Sequence, residues 1–276
     1  MPPLRPGSAF PGYFSTWGCC RKGDGRMKHL ILSGCAGRMG RMLESLIEQR
    51  DDCRIAAGVD PAPYHSEEFP VYSNWERCPP NADGILDFSS PAGLSPMLEF
   101  ATGHGIPVVL GTTGLSPSQV EEVALASKTI PIFRAANFSL PVALMAHLVE
   151  ETSRALGADF DIELLELHHR GKADAPSGTA KVLMDAANAG LGASLSPVYG
   201  REGDSQRQPG EIGVHSLRGG SFAGEHTVLF SGQGEALSIQ HTALSREIFA
   251  RGAIRAMLYL QGCPAGLYGM ESLLQF

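Results

Sequence analysis

The chain lacks the features that mark several whole classes of protein. No apolar stretch approaches the ~18 residues that a membrane-crossing helix needs. A basic surplus is missing too: 22 Lys and Arg stand against 29 Asp and Glu, a formal net charge of -7. Neither nucleic acid nor an anionic membrane surface is therefore expected as a partner. The six cysteines (Cys19, Cys20, Cys35, Cys53, Cys78 and Cys263) form no CxxC pair and are scattered. That pattern argues against a disulfide framework or a zinc site and favours a reducing, cytoplasmic setting. HExxH and similar clustered spacings are absent, so no bound metal is expected. Internal repeats and low-complexity tracts are absent as well.

Residues 1–26 also lack something, the continuous apolar core of a secretory signal. They are rich in Pro, Gly and aromatics and carry no acid before Asp24. We read them as a disordered extension or an upstream start, with an organellar transit peptide as the alternative. Met27-Lys28-His29-Leu30-Ile31-Leu32 reads as the natural beginning of a first strand.

What is present suits a folded chain. Hydrophobic residues make up 43% of the 276 and charged residues 18%, enough for a core in one large domain or two modest ones. From Met27 onward, short apolar runs alternate with helical spacing. Strands are expected at His29–Ser33, Ile55–Val59, Gly84–Phe88, Pro107–Leu110 and Ile130–Phe133. Helices are expected at Gly37–Gln49, Pro91–Gly103 and Ser116–Ser127, the last capped by Ser116 with Pro117 in the first turn. This alternation implies an α/β fold with a parallel sheet. The rhythm then changes. A long helix at Pro141–Leu156 precedes a strand at Asp161–Leu167 and a helix at Thr179–Ala189. A loose stretch over roughly 191–210 leads to consecutive strands at Ile212–Leu217, Glu225–Phe230 and Ala236–Thr242, and Arg246–Leu260 closes as a helix. Strands without helices between them imply an α+β second unit.

Two sets of residues carry chemistry. Gly34-Cys35-Ala36-Gly37-Arg38-Met39-Gly40 follows the first strand and opens the first helix. Glycines there permit a tight turn and close approach of a pyrophosphate, and a helix start attracts its charge. Asp60 ends the second strand about twenty residues later, where an acid meets a ribose hydroxyl. Gly111-Thr112-Thr113 and Ala135-Ala136-Asn137-Phe138 end later strands and are expected to line the same crevice. The second set is the run from Glu166 to Ala180. It holds His168, His169 and Lys172, then Ser177-Gly178-Thr179 at a helix start. A proton donor, a fixed cation and free backbone N–H groups suit a carboxylate-bearing substrate. The competing reading is a buried histidine pair beside a surface lysine. His168 and His169 point to opposite sides of a strand, so they do not share a metal.

The segment His168–Ala180 resembles the signature of the 4-hydroxy-tetrahydrodipicolinate reductase (dihydrodipicolinate reductase) family of the lysine and diaminopimelate pathway. Gly34–Gly40, Gly111–Gly114, Asn137–Ser139, Gly200–Gly203 and Gly224–Thr227 are similar to that family's segments, in the same order. The resemblance implies a Rossmann-like domain over 27–139 and 247–276. It implies a mixed-sheet domain over 140–246 that binds substrate and forms a homotetramer. It also implies NAD(P)H-dependent hydride transfer to a small cyclic dicarboxylate. His168 would donate the proton, Lys172 would be the second catalytic residue, and His169 with Ser177-Gly178-Thr179 would hold the carboxylates. The alternatives are another oxidoreductase of similar architecture acting on a small acid, or a non-catalytic dinucleotide-binding regulator.

The chain departs from the family pattern in two places within this core. Leu140-Pro141-Val142-Ala143 replaces a commoner Gly-Val-Asn run after Ser139. Pro61 follows Asp60 where a basic residue often meets the NADPH 2′-phosphate, which leaves Arg38 alone to offset Asp60. NADH is therefore expected to serve at least as well as NADPH.

Overall fold

The computed structural model describes residues 26–274. Apart from Arg26, the extension read at 1–26 lies outside the described residues. Seven strands build the first sheet: β1 (Lys28–Ser33), β2 (Cys53–Val59), β3 (Val71–Tyr72), β4 (Gly84–Asp87), β5 (Val108–Leu110), β6 (Pro131–Arg134) and β12 (Gly266–Tyr268). Their order is β12-β6-β5-β4-β1-β2-β3, and every adjacent pair is parallel. Strand order reverses between β1 and β4, which opens a crevice beyond their carboxyl ends.

These strands read as short continuous apolar runs because both faces are buried. Successive side chains alternate between two cores. Leu30, Leu32, Leu86, Val109 and Phe133 face helices α1 (Arg38–Ile47) and α6 (Glu247–Leu260). Ile31, Ile85, Val108 and Ile132 face α2 (Leu94–His104) and α3 (Pro117–Ala126). Ser116 and Gln119 form a capping box at the start of α3, behind Pro117.

The second sheet runs β11-β10-β7-β9-β8. Its strands are β7 (Asp161–His168), β8 (Ser196–Tyr199), β9 (Glu211–Arg218), β10 (Gly224–Ser231) and β11 (Ala236–Ala243). β10 is antiparallel to both β7 and β11, while β9 is parallel to β7 and β8, so the sheet is mixed. Helices α4 (Leu140–Leu156) and α5 (Gly178–Leu191) share a core with it that includes Val149, Leu164, Leu183, Val214 and Phe230. Along β7 the residues Ile162, Leu164, Glu166 and His168 are all buried on this inner face. The strand's period of two thus carries two polar side chains to the end of an apolar row.

Some elements differ from expectation. The stretch at 191–210 contains β8, and β3 and β12 were not foreseen. These strands have two to four residues and lie at or next to a sheet edge, too short to show a period. The helix expected from Pro91 opens as a 3₁₀ turn, Pro91–Gly93, before α2. Cys35, Cys53 and Cys78 are buried free thiols, but Cys263 is disulfide-bonded, which departs from a fully reduced chain.

Candidate active site

Gly34 follows β1 with φ +79°, a conformation that favours glycine. A Cβ on Gly34 would stand 2.6 Å from the Phe88 carbonyl oxygen, and one on Gly40 would stand 2.4 Å from the Gly34 oxygen. The loop therefore packs backbone against backbone at the mouth between β1 and β4. Gly37 is the N-cap of α1 and offers no side-chain cap. The N–H groups opening α1 are left for an outside acceptor, and the helix start favours an anion there. Asp60, just past β2, accepts hydrogen bonds from Ala36 N–H (3.0 Å) and Ala62 N–H (2.9 Å), one on each oxygen. A glycine cradle, an uncapped helix start and an acid at the next strand end together fit a dinucleotide.

The turn after β5 is anchored from below. Thr112 donates to buried Asp87 at 2.6 Å, and Ser89 donates to its other oxygen at 2.7 Å. Burial raises the Asp87 pKa although these hydroxyls work against the rise. After β6, Asn137 accepts from Ser139 N–H (2.8 Å) and donates to Thr179 Oγ1 (2.9 Å). That second bond ties the first sheet's last βα turn to the start of α5.

The connection from β7 to α5 is pinned by the β9–β10 turn. His169 N–H donates to the Phe222 oxygen, Gly219 N–H to the His168 oxygen, both at 2.9 Å, and Arg218 to the Asp174 oxygen at 2.6 Å. His168 ends β7 and is 7% exposed. Burial pushes its pKa below the ordinary value; the Glu166 carboxylate pulls it back, while Lys172 and Arg218 push it down further. Burial works to raise the Glu166 pKa, but hydrogen bonds from Ser177 and Arg218 outweigh it and hold the carboxyl at about 2. Lys172 Nζ donates to both oxygens of Asp174, at 2.7 and 2.8 Å. Arg246 donates to His169 Nε2 at 2.9 Å. Because guanidinium only donates, His169 Nε2 is the acceptor of this bond. Ser177 caps α5 by accepting from Ala180 N–H at 3.1 Å. The Gly178 and Thr179 N–H groups, next in the first turn, stay open to an anion.

One cleft of about 2300 Å³ joins the two halves. Gly37, Arg38 and Met39 line one part, Ala135–Phe138 the middle, and His168, Lys172 and Thr179 the far wall.

Residues 28–138 match the family model for the dihydrodipicolinate reductase N-terminus, and residues 141–274 match the model for its C-terminus. The chain belongs to the dihydrodipicolinate reductase family. It is 43% identical to the 4-hydroxy-tetrahydrodipicolinate reductase of Caldanaerobacter subterraneus subsp. tengcongensis, over 90% of this chain and 99% of that protein. It is 41% identical to the reductase of the same name from Clostridium tetani, over 90% and 97%. A dipicolinate-bound dihydrodipicolinate reductase from Paenisporosarcina sp. TG-14 shares the fold. It superposes with a TM-score of 0.73 at 23% identity, covering 90% of this chain and all of that one.

Within this reductase fold, the residues singled out from sequence do not all face the cleft. Gly37, Arg38, Met39, Gly111, Thr113, Ala135, Ala136, Asn137, Phe138, His168, His169, Lys172, Ser177, Gly178 and Thr179 line it. Gly34, Cys35, Ala36, Asp60 and Thr112 are not among its lining residues; Gly34, Cys35 and Thr112 are buried, whereas Ala36 and Asp60 are half-buried. Cys35 is fully buried, and burial, with Asp60 adding to it, lifts its thiol to about 11, so it is no reactive thiolate. Thr112 spends its hydroxyl proton on Asp87. Phe88, Tyr259 and His147 line the cleft without having been foreseen.

Around His168, sequence reading also missed Arg218 and His226, and Glu166 as a member of the site. Glu166, His168 and His226 bring potential metal-donor atoms within 4.8 Å of one another, although no ligand spacing marks them in sequence. Arg218 already sits 2.8 Å from Glu166. That cation and nearby Lys172 disfavour a further positive charge there. The three residues belong to strands β7 and β10, paired His226 to Glu166 in register, so only pairing brings them together.

Proposed function

We propose that this protein catalyses the NAD(P)H-dependent reduction of 4-hydroxy-tetrahydrodipicolinate (dihydrodipicolinate) to tetrahydrodipicolinate in lysine and diaminopimelate biosynthesis. The observation that carries this reading is the cleft shared by the two sets of residues. Its one wall is the glycine-loop helix start and its other is His168, Lys172 and the α5 N-terminus. A reduced nicotinamide, when bound, supplies a hydride.

The chain's own residues handle charge and protons. Hydride addition to a conjugated C=C–C=N system places negative charge on the substrate, which His168 quenches by donating a proton. Lys172 leaves Asp174 to pair with one substrate carboxylate. The open N–H groups of Gly178 and Thr179 hold a carboxylate at the positive end of α5. Thr179 already accepts from Asn137, so its own hydroxyl proton is left to donate. His169 adds a further polar contact.

Cofactor choice turns on Asp60. Both of its oxygens take backbone N–H groups, and Pro61 follows it, so a 2′-phosphate would meet a fixed negative charge. Arg38 is exposed nearby in sequence to the loop and offers the compensating cation. We extend the proposal to a homotetramer. Its support is the outer face of the second sheet, where Leu165 and Leu217 are 39% and 48% exposed beside Leu167 and Leu229.

The test couples the enzyme that condenses aspartate semialdehyde with pyruvate to this protein and follows nicotinamide oxidation. Turnover is expected with either cofactor, with kcat/KM for NADPH no more than about tenfold above that for NADH, or ~1.4 kcal/mol. No oxidation with either would overturn the function, and a larger NADPH advantage would overturn the cofactor reading alone.

A further inference from the structure

Glu166 is a buried carboxylate that the proposed chemistry does not use. It lies on the inner face of β7, two residues before His168, and its side chain is fully shielded from solvent. Oε1 accepts from Ser177 N–H at 3.1 Å and from Arg218 Nη2 at 2.8 Å. Oε2 is buried without a hydrogen bond, and so is His168 Nδ1. These two unpaired atoms stand 3.2 Å apart. They are close enough to bond but off axis, so a small rotation of the ring pairs them. A carboxylate only accepts, so a proton held between them resides on Nδ1. Nε2 is then the ring nitrogen that meets substrate. Gly224 packs close to this edge: a Cβ there would stand 3.0 Å from Nε2.

We propose that Glu166 is the positioning residue of His168, its Oε2 fixing the Nδ1–H form of the imidazole and so reserving Nε2 for proton exchange in the cleft. The proposal rests on the reading of His168 as the proton donor. Five groups act on the His168 ring electrostatically or by contact. Glu166 comes from β7, Arg218 from β9, His226 from β10 in an edge-on contact with centroids 5.0 Å apart, and Lys172 and Asp174 from the following loop. Glu166 is the buried anion among them and the one in contact with Nδ1. Removing its charge therefore leaves Lys172 and Arg218 opposed only by Asp174.

The test is Glu166→Gln in the full chain, which keeps the side-chain shape and an oxygen for Ser177 and Arg218. Histidine labelled with ¹⁵N reports each ring, and the His168 signals are those lost in His168→Gln. In the wild type, neutral His168 is expected as the Nδ1–H form. In Glu166→Gln that preference is expected to vanish, with proton affinity at His168 falling about tenfold, one pKa unit. The high-pH limb of kcat should move to lower pH in step, a change that a purely structural role would not produce. An Nε2–H form in the wild type, or a His168 titration identical in both proteins, overturns the proposal. Should Glu166→Gln fail to fold, the wild-type form alone decides. These spectra need neither substrate nor cofactor, so they stand apart from the turnover assay that judges the function itself.

Discussion

A histidine buried to 7% exposure and kept below its ordinary pKa makes a poor acid until something charges it. The carboxylates of an incoming substrate favour that charge, because an anion near an imidazole stabilises its protonated form, with the proton taken from solvent. On the proposed reading, His168 is neutral in the free protein at neutral pH and gains its proton when the substrate binds. Its replacement by Gln should lower kcat by ~10²–10⁴-fold, the usual range for losing a positioned general acid. Cofactor affinity, measured by calorimetric titration, should stay nearly unchanged, because His168 lies on the far wall of the cleft. Full activity in that variant would remove His168 from the mechanism. His168, Lys172 and Ser177–Thr179 were legible in the sequence because they fall within one short connection. Glu166 was in plain view there too, but its role depends on Arg218 and His226, which reach it only through the pairing of β7 with β9 and β10. No local pattern encodes that pairing.

At the scale of elements, the cleft's middle wall depends on a close approach of helix and loop. α6 packs on the first sheet and on α1, and Gly252 faces the loop after β6. A Cβ on Gly252 would lie 1.8 Å from the Phe138 carbonyl oxygen. Phe138 in turn stacks with Phe133, centroids 6.1 Å apart, and packs against Phe88 at 5.5 Å. Backbone cannot rotate away as a side chain can. Gly252→Ala should therefore destabilise the protein by ~1–3 kcal/mol, as overpacking does, and weaken dinucleotide binding through the displaced 135–138 turn. Urea unfolding and cofactor titration of the same variant check both parts; unchanged values would show that the loop yields freely. Nothing in the sequence marks Gly252 as special, since a glycine inside a helix reads only as a weak helix former. The long helices and apolar runs were legible through their period, whereas β3, β8 and β12 owe their existence to neighbours and stayed hidden.

For the whole molecule, the same buried cluster sets a pH dependence of stability. Burial pushes the His226 pKa down to about 4, with the His168 charge adding to the effect. An unfolded chain leaves that imidazole near 6.5. Between pH 6.5 and about 4 the unfolded state therefore binds the proton that the folded state refuses, and stability rises with pH across this window. Burial lowers the pKa of His168 and His241 also, so they act in the same direction. Glu166, held at about 2 against an ordinary 4.5, extends the trend below: its stabilisation is complete above 4.5 and is lost as pH falls toward 2. The urea midpoint, taken at one fixed protein concentration, should be flat above pH 7 and fall as the solution is acidified toward pH 4. His226→Gln removes one of the refused protons, so its midpoint should fall less steeply over the same interval. An equally steep fall in that variant would mean that His226 is protonated in the fold, and the site would then hold one more positive charge beside Lys172 and Arg218 than its proton chemistry requires.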